Sequence, residues 1–104
     1  MLLEKSKFSE GDIISLKLSN GDEVLGKYIK EDMYTMTVRS PLMLAMTQKG
    51  PAMAPIMMTV EPDREYSINK NNIMFQGSTV KEIADQYTYQ TTGIQPVSAG
   101  SIIR

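Results

Sequence analysis

The run from Ile13 to Val38 constrains this chain more than any other feature, because it reads as a β-hairpin continued into a third strand. Ile14, Leu16 and Leu18 alternate with Ser15 and Lys17, the period-two pattern of a strand that buries one face. Asn20-Gly21 then interrupts the pattern. This dipeptide tolerates the positive φ angles of a tight turn, so the strand is expected to reverse and pair with Val24 to Lys30. Gly21 belongs to the turn, whereas Gly26 lies inside the returning strand. A glycine there marks a bend, a bulge or a close approach of backbone. Asp32 and Tyr34 follow at the start of the third strand. A bent second strand leading to an acid and an aromatic points to a small, highly curved barrel with a functional loop.

The length of 104 residues fits one domain, large enough to bury roughly 65% of the surface its unfolded chain exposes. Lys and Arg total 11 against 12 acids, so no broad field draws the chain to nucleic acid or membrane. Any nucleic-acid contact has to be local. The sequence has no cysteine and no histidine, which excludes disulfides, thiolate metal sites and cysteine or histidine catalysis. Glu4, Lys5, Lys7 and Glu10 interrupt the first ten residues, unlike the apolar core of a secretory signal. No apolar run approaches the roughly 20 residues that cross a bilayer. The expected location is the cytoplasm, without membrane association.

Further along, the third strand is expected from about Met33 to Met46, with Pro41 demanding an edge, a bulge or a kink because it has no N–H to donate. Gln48 to Pro55 reads as a turn, and Ile56 to Val60 as a fourth strand. Pro62-Asp63 breaks or bends that strand before Tyr66 to Ile68 extends again. Asn69 to Asn72 forms a polar knuckle, and Ile73 to Phe75 is the last strand. Val80, Ile83, Ala84 and Tyr87 then fall on one helical face, Thr79 and Glu82 have capping-box spacing, and Gly93 is a stop. A helix of about 12 residues is marginal alone, so it should dock on the barrel or on a neighbouring subunit. The expected division is an N-terminal segment (1–11), a barrel (12–77), a helix (78–92) and a tail (93–104), in which Ile102 and Ile103 could pack on a partner.

Seven of the nine methionines lie between Met33 and Met58. Flexible thioethers fill irregular cores and subunit interfaces, and they also line adaptable grooves; the pattern fits either use. Catalysis is not expected. Glu31-Asp32 and Asp22-Glu23 are adjacent pairs whose side chains point to opposite faces of a strand, and Asp63 with Glu65 reads as an exposed polar bend. No glycine-rich phosphate loop, cofactor motif or metal-ligand cluster is present.

The segment L-K-L-S-N-G-D-E-V-L-G-K-Y-I-K-E-D-M-Y-T-M-T-V, Leu16 to Val38, resembles the first motif of the Sm-like family, which includes the Sm and LSm proteins and the bacterial host-factor-Q proteins. Gly21, Gly26 and Asp32 take the motif's turn glycine, strand glycine and acid. I-N-K-N-N-I, Ile68 to Ile73, resembles the family's knuckle between the last two strands. There are departures. Met36 stands where Sm proteins carry a base-contacting asparagine, Asn69 and Lys70 stand for arginine and glycine, and the helical pattern is C-terminal instead of N-terminal.

The resemblance implies a mainly β fold: a small, strongly bent, five-stranded antiparallel barrel of Sm-like or SH3-like type, here with a C-terminal helix. It further implies a homo-oligomeric ring formed by pairing strand edges between copies, with single-stranded RNA or DNA as cargo and no cofactor. By the same resemblance Tyr34 would stack on a base. Lys70 would attract phosphate, and Asn69 and Asn71 would contact base edges. Asp32, Gly26 and Gly21 would shape the loops. The residues also allow local roles: Tyr34 as a half-buried strand aromatic, Asp32 as an acceptor of backbone hydrogen bonds, and Asn69, Lys70 and Asn71 as a solvated turn. A ring that keeps the barrel but has lost nucleic-acid contacts, serving protein interaction or structure, is the competing expectation.

Overall fold

A computed structural model describes residues 8–93. Most of the N-terminal segment and the tail from Ile94, including Ile102 and Ile103, lie outside the described residues. Six strands and one helix follow in order: β1 (Ile13–Leu18), β2 (Glu23–Glu31), β3 (Thr35–Thr47), β4 (Gly50–Pro55), β5 (Glu65–Asn69), β6 (Ile73–Ser78) and α1 (Lys81–Thr92), with a 3-10 turn at Lys70–Asn72 between β5 and β6. All strand pairings are antiparallel, in the order β4-β3-β2-β1-β6, with β5 also paired to β3. The hydrogen-bonded path does not close on itself.

The opening hairpin forms as its pattern predicts. Leu16 faces Val24 and Ile14 faces Gly26. Gly21 takes φ +98, and Asn20 accepts a 2.9 Å hydrogen bond from the Asp22 amide on its side-chain oxygen. Gly26 answers to close approach: a Cβ built on it would lie 2.9 Å from the Cβ of Val38.

The turn assigned to Gln48 to Pro55 is instead mostly a strand, so the sheet has six strands where five were expected. Gln48 and Lys49 alone make the turn between the paired Thr47 and Gly50, with Gly50 at φ +113. Two prolines argued against a strand, but β4 pairs only with β3, and an edge strand has no second partner to demand their missing N–H groups. Conversely, Ile56 to Val60 forms no strand. One edge of β3 is already divided between β4 at residues 42–47 and β5 at residues 35–39, so the segment joining them has no ladder to enter.

Between those two halves β3 carries a bulge. Leu25 pairs with Leu42 and Lys27 with Arg39, leaving Ser40 and Pro41 opposite Gly26. Pro41 therefore sits where no N–H is needed. The extra residue also switches the face of every later side chain. Met36 and Val38 join Phe8, Ile14, Leu16 and Tyr28 in one core. Leu42, four residues past Val38, joins Leu25, Met53 and Tyr87 in a second. Further register shifts, at Ile29 in β2 and at Met74 in β6, bend the sheet again.

The second core is where α1 docks. Tyr87 and Ile83 pack with Leu25, Leu42 and Met53 on the chain's own sheet. Gly93 ends the helix in the left-handed conformation, its amide bonded to the Tyr89 carbonyl. The capping box does not form: Val80 is the N-cap and makes no side-chain cap bond, while the Thr79 hydroxyl pairs with Ser15 Oγ at 2.7 Å, tying the helix start to β1. Of the methionines, Met36 and Met53 fill the cores, whereas Met33, Met46, Met57 and Met58 face outward.

Candidate nucleic-acid interface

Tyr34 is held out on a short loop between β2 and β3, 71% exposed beside an equally exposed Met33. The loop is shaped by Asp32. Its Oδ1 accepts the Tyr34 amide at 2.7 Å and the Thr35 amide at 2.8 Å, and the Asp32 amide donates to the Thr35 carbonyl. Hydrogen bonds from the Thr35 and Tyr34 backbone hold the Asp32 carboxyl below its ordinary value of 3.8, because both favour the charged form. Asp32 thus remains an anion next to Tyr34 at neutral pH.

The knuckle lies against this loop. Thr35 pairs with Asn69, and the Lys70 amide donates to the Tyr34 carbonyl at 2.9 Å. Tyr34 and the Asn69-Lys70-Asn71 knuckle, 35 or more residues away in sequence, are therefore gathered at one end of the sheet. The asparagines are partly committed there. Asn69 Oδ1 accepts the Asn71 amide at 2.9 Å and caps the 3-10 turn.

Lys70 is the larger surprise. Its Nζ lies 2.6 Å from Glu31 Oε2, with the two side chains 29% and 18% exposed. Tyr28 donates to the other Glu31 oxygen at 2.9 Å. Glu31 and its neighbour Asp32 point to opposite faces, so the two acids do not share a site. The partner of Glu31 instead comes from the knuckle 39 residues on, a long-range pairing that no local pattern reveals. With Lys70 neutralised and Asp32 charged, the loop end offers an aromatic and amides in place of a cationic surface.

Met36, which the sequence resemblance sets against a base-contacting asparagine, is fully buried in the first core. Asp63 and Glu65 bracket a single arginine: Arg39 Nε is 3.2 Å from Asp63 Oδ1 and its NH1 is 4.0 Å from Glu65. Among the described residues no three acidic side chains gather as a metal site, and no helix is long and apolar enough to cross a membrane. Compared with family models and with curated proteins, the chain matches none.

Proposed function

We propose that this chain is an Sm-like protein that assembles into a homo-oligomeric ring and presents the Tyr34 loop and the Asn69-Lys70-Asn71 knuckle of each copy to single-stranded RNA or DNA, in nucleic-acid processing or chaperoning. The observation that carries the reading is the fixed, exposed Tyr34 coupled to the knuckle through the Lys70 amide. A strongly bent barrel is supported by the three register shifts. It is also supported by the three-residue turn that separates β5, paired to β3, from β6, paired to β1. Among the described residues β4, β5 and β6 each pair on one side only; Gln86 and Gln90 of α1 bond to β4 carbonyls, which leaves β5 and β6 as the two edges for neighbouring copies.

Stacking carries the affinity in this proposal. One aromatic platform contributes about 1–3 kcal/mol per base, and repeated copies around a ring add avidity without new contacts. Since Lys70 is already paired, binding has a shallow salt dependence. The test is binding of fluorescent oligonucleotides of uridine and thymidine to the full chain and to Tyr34→Ala, at two salt concentrations. The substitution is expected to weaken binding at least about fivefold. No binding by either protein rejects nucleic acid as cargo, and equal measurable affinity of the two rejects Tyr34 as the stacking platform.

The Lys70–Glu31 pair and the buried Met36 favour a second reading, a ring that serves protein interaction or structure. Recovery of a protein partner that survives nuclease treatment supports this reading; nuclease-sensitive recovery supports the first.

A further inference from the structure

Glu31 ends β2 on the inner face of the sheet. It stands directly opposite Met36 of β3, and opposed residues of an antiparallel pair project to the same side. Its carboxylate therefore lies at the rim of the first core, which buries both Met36 and Tyr28. Both carboxylate oxygens are engaged there. Tyr28, whose ring centroid is 5.5 Å from that of Phe8, donates its hydroxyl to Oε1 at 2.9 Å, and Lys70 Nζ lies 2.6 Å from Oε2.

This placement decides which anion Lys70 keeps. A part-buried carboxylate stripped of its counterion is costly, whereas the phosphate of an incoming strand is already satisfied by water and salt. A phosphodiester therefore has to displace Glu31 against the penalty of leaving a charge at the core rim. A second acid works in the same direction. The Asp32 carboxyl is held below its ordinary value by the backbone hydrogen bonds of Thr35 and Tyr34, and further by the charge of Lys70. One lysine thus serves two carboxylates, and the group beside the exposed Tyr34 ring keeps a net negative charge. Lys30, the neighbour of Glu31 in β2, stands opposite Thr37 and projects to the other face of the strand.

We propose that Glu31 is a selectivity residue: it withholds Lys70 from the ligand's phosphates, so that the Tyr34 loop selects unpaired nucleobases whatever the charge of the backbone that carries them. This rests on the nucleic-acid reading of the loop and deepens it by naming the ligand through its bases. Stacking on Tyr34 and contacts with the side-chain amides of Asn69 and Asn71 are open to a neutral-backbone analogue as much as to a phosphodiester.

The test compares a fluorescent thymidine oligonucleotide with its methylphosphonate counterpart, which carries the same bases on an uncharged backbone. Both are titrated onto the full chain and onto Glu31→Gln, at two salt concentrations. The glutamine keeps an acceptor for the Tyr28 hydroxyl. The unsubstituted protein is expected to bind the neutral oligonucleotide more tightly than the charged one, or within about threefold of it. Glu31→Gln is expected to favour the charged oligonucleotide by more than about threefold. Its slope of log affinity against log salt should steepen by about 0.7 for each phosphate that Lys70 gains, and adding Lys70→Gln should abolish both changes. A preference of the unsubstituted protein for the charged oligonucleotide beyond about threefold overturns the proposal while nucleic-acid binding stands. So does a Glu31→Gln protein that loses affinity for both oligonucleotides alike, which is what a purely structural ion pair predicts, or one that gains no preference. Binding of neither oligonucleotide to the unsubstituted protein overturns the nucleic-acid reading itself and the proposal with it. The comparison of the two backbones on the unsubstituted protein decides the matter even where the variant fails to fold.

Discussion

Gly26 and Tyr87 hold the two sides of the β3 bulge, and each can be tested by one atom or a few. At Gly26 a methyl group would sit 2.9 Å from the Val38 Cβ, a contact between two elements that cannot both yield. Gly26→Ala is therefore expected to destabilise the fold by about 1–3 kcal/mol, read as a lower urea midpoint with an unchanged slope. Tyr87, 1% exposed, donates its hydroxyl to the carbonyls of Arg39 and Ser40 at 2.9 and 2.8 Å. Tyr87→Phe leaves those carbonyls without their donor and is expected to cost about 1–3 kcal/mol at neutral pH. Burial pushes the Tyr87 hydroxyl from 10.0 up to about 12. A raised value means the folded state holds the proton more tightly, so the stabilisation is complete below pH 10 and drains away as pH rises towards 12. That loss amounts to roughly 3 kcal/mol. Chemical denaturation across this window should show a shallower decline for Tyr87→Phe than for the unsubstituted protein.

At the scale of elements, α1 guards a sheet edge as well as a core. Gln86 and Gln90, one turn apart, donate to the carbonyls of Pro51 and Met53 at 3.3 and 2.9 Å, and Pro51 and Pro55 remove N–H groups from the same strand. β4 is thereby an edge with little left to offer a foreign strand. The double substitution Gln86→Ala with Gln90→Ala uncovers it, and concentration-dependent growth of large species in light scattering is the expected result. The helix was legible as a helix from its apolar period and from Gly93. Its docking face was not, because the sheet surface it needs exists only after the Ser40-Pro41 bulge has turned Leu42 towards it.

For the whole molecule, β5 and β6 are the edges that the proposed ring would use, and β6 carries the exposed Met74 and Phe75. Lysine on an edge strand disfavours pairing with another copy. Met74→Lys with Phe75→Lys is accordingly expected to shift the proposed ring to monomer in size-exclusion chromatography with light scattering, with an unchanged circular dichroism spectrum. A monomeric unsubstituted protein would remove both ring readings together, and with them the avidity that the proposed nucleic-acid binding invokes.

The amino-acid sequence by itself determined the first hairpin, the turn at Asn20-Gly21, the need for relief at Gly26 and Pro41, and the helix with its stop. Each of these is a local demand of backbone sterics or of side-chain period. It also placed Tyr34 after Asp32, and the structure adds the two backbone hydrogen bonds that hold that loop. Only the tertiary structure decided which apolar run became a strand, because Gly50–Pro55 has an open edge of β3 beside it and Ile56 to Val60 has none. It likewise decided that Lys70 faces Glu31 across 39 residues. Pairing partners are distant in sequence, and the hydrogen-bond capacity of an edge or the charge of a side chain is spent on whatever the fold brings alongside it.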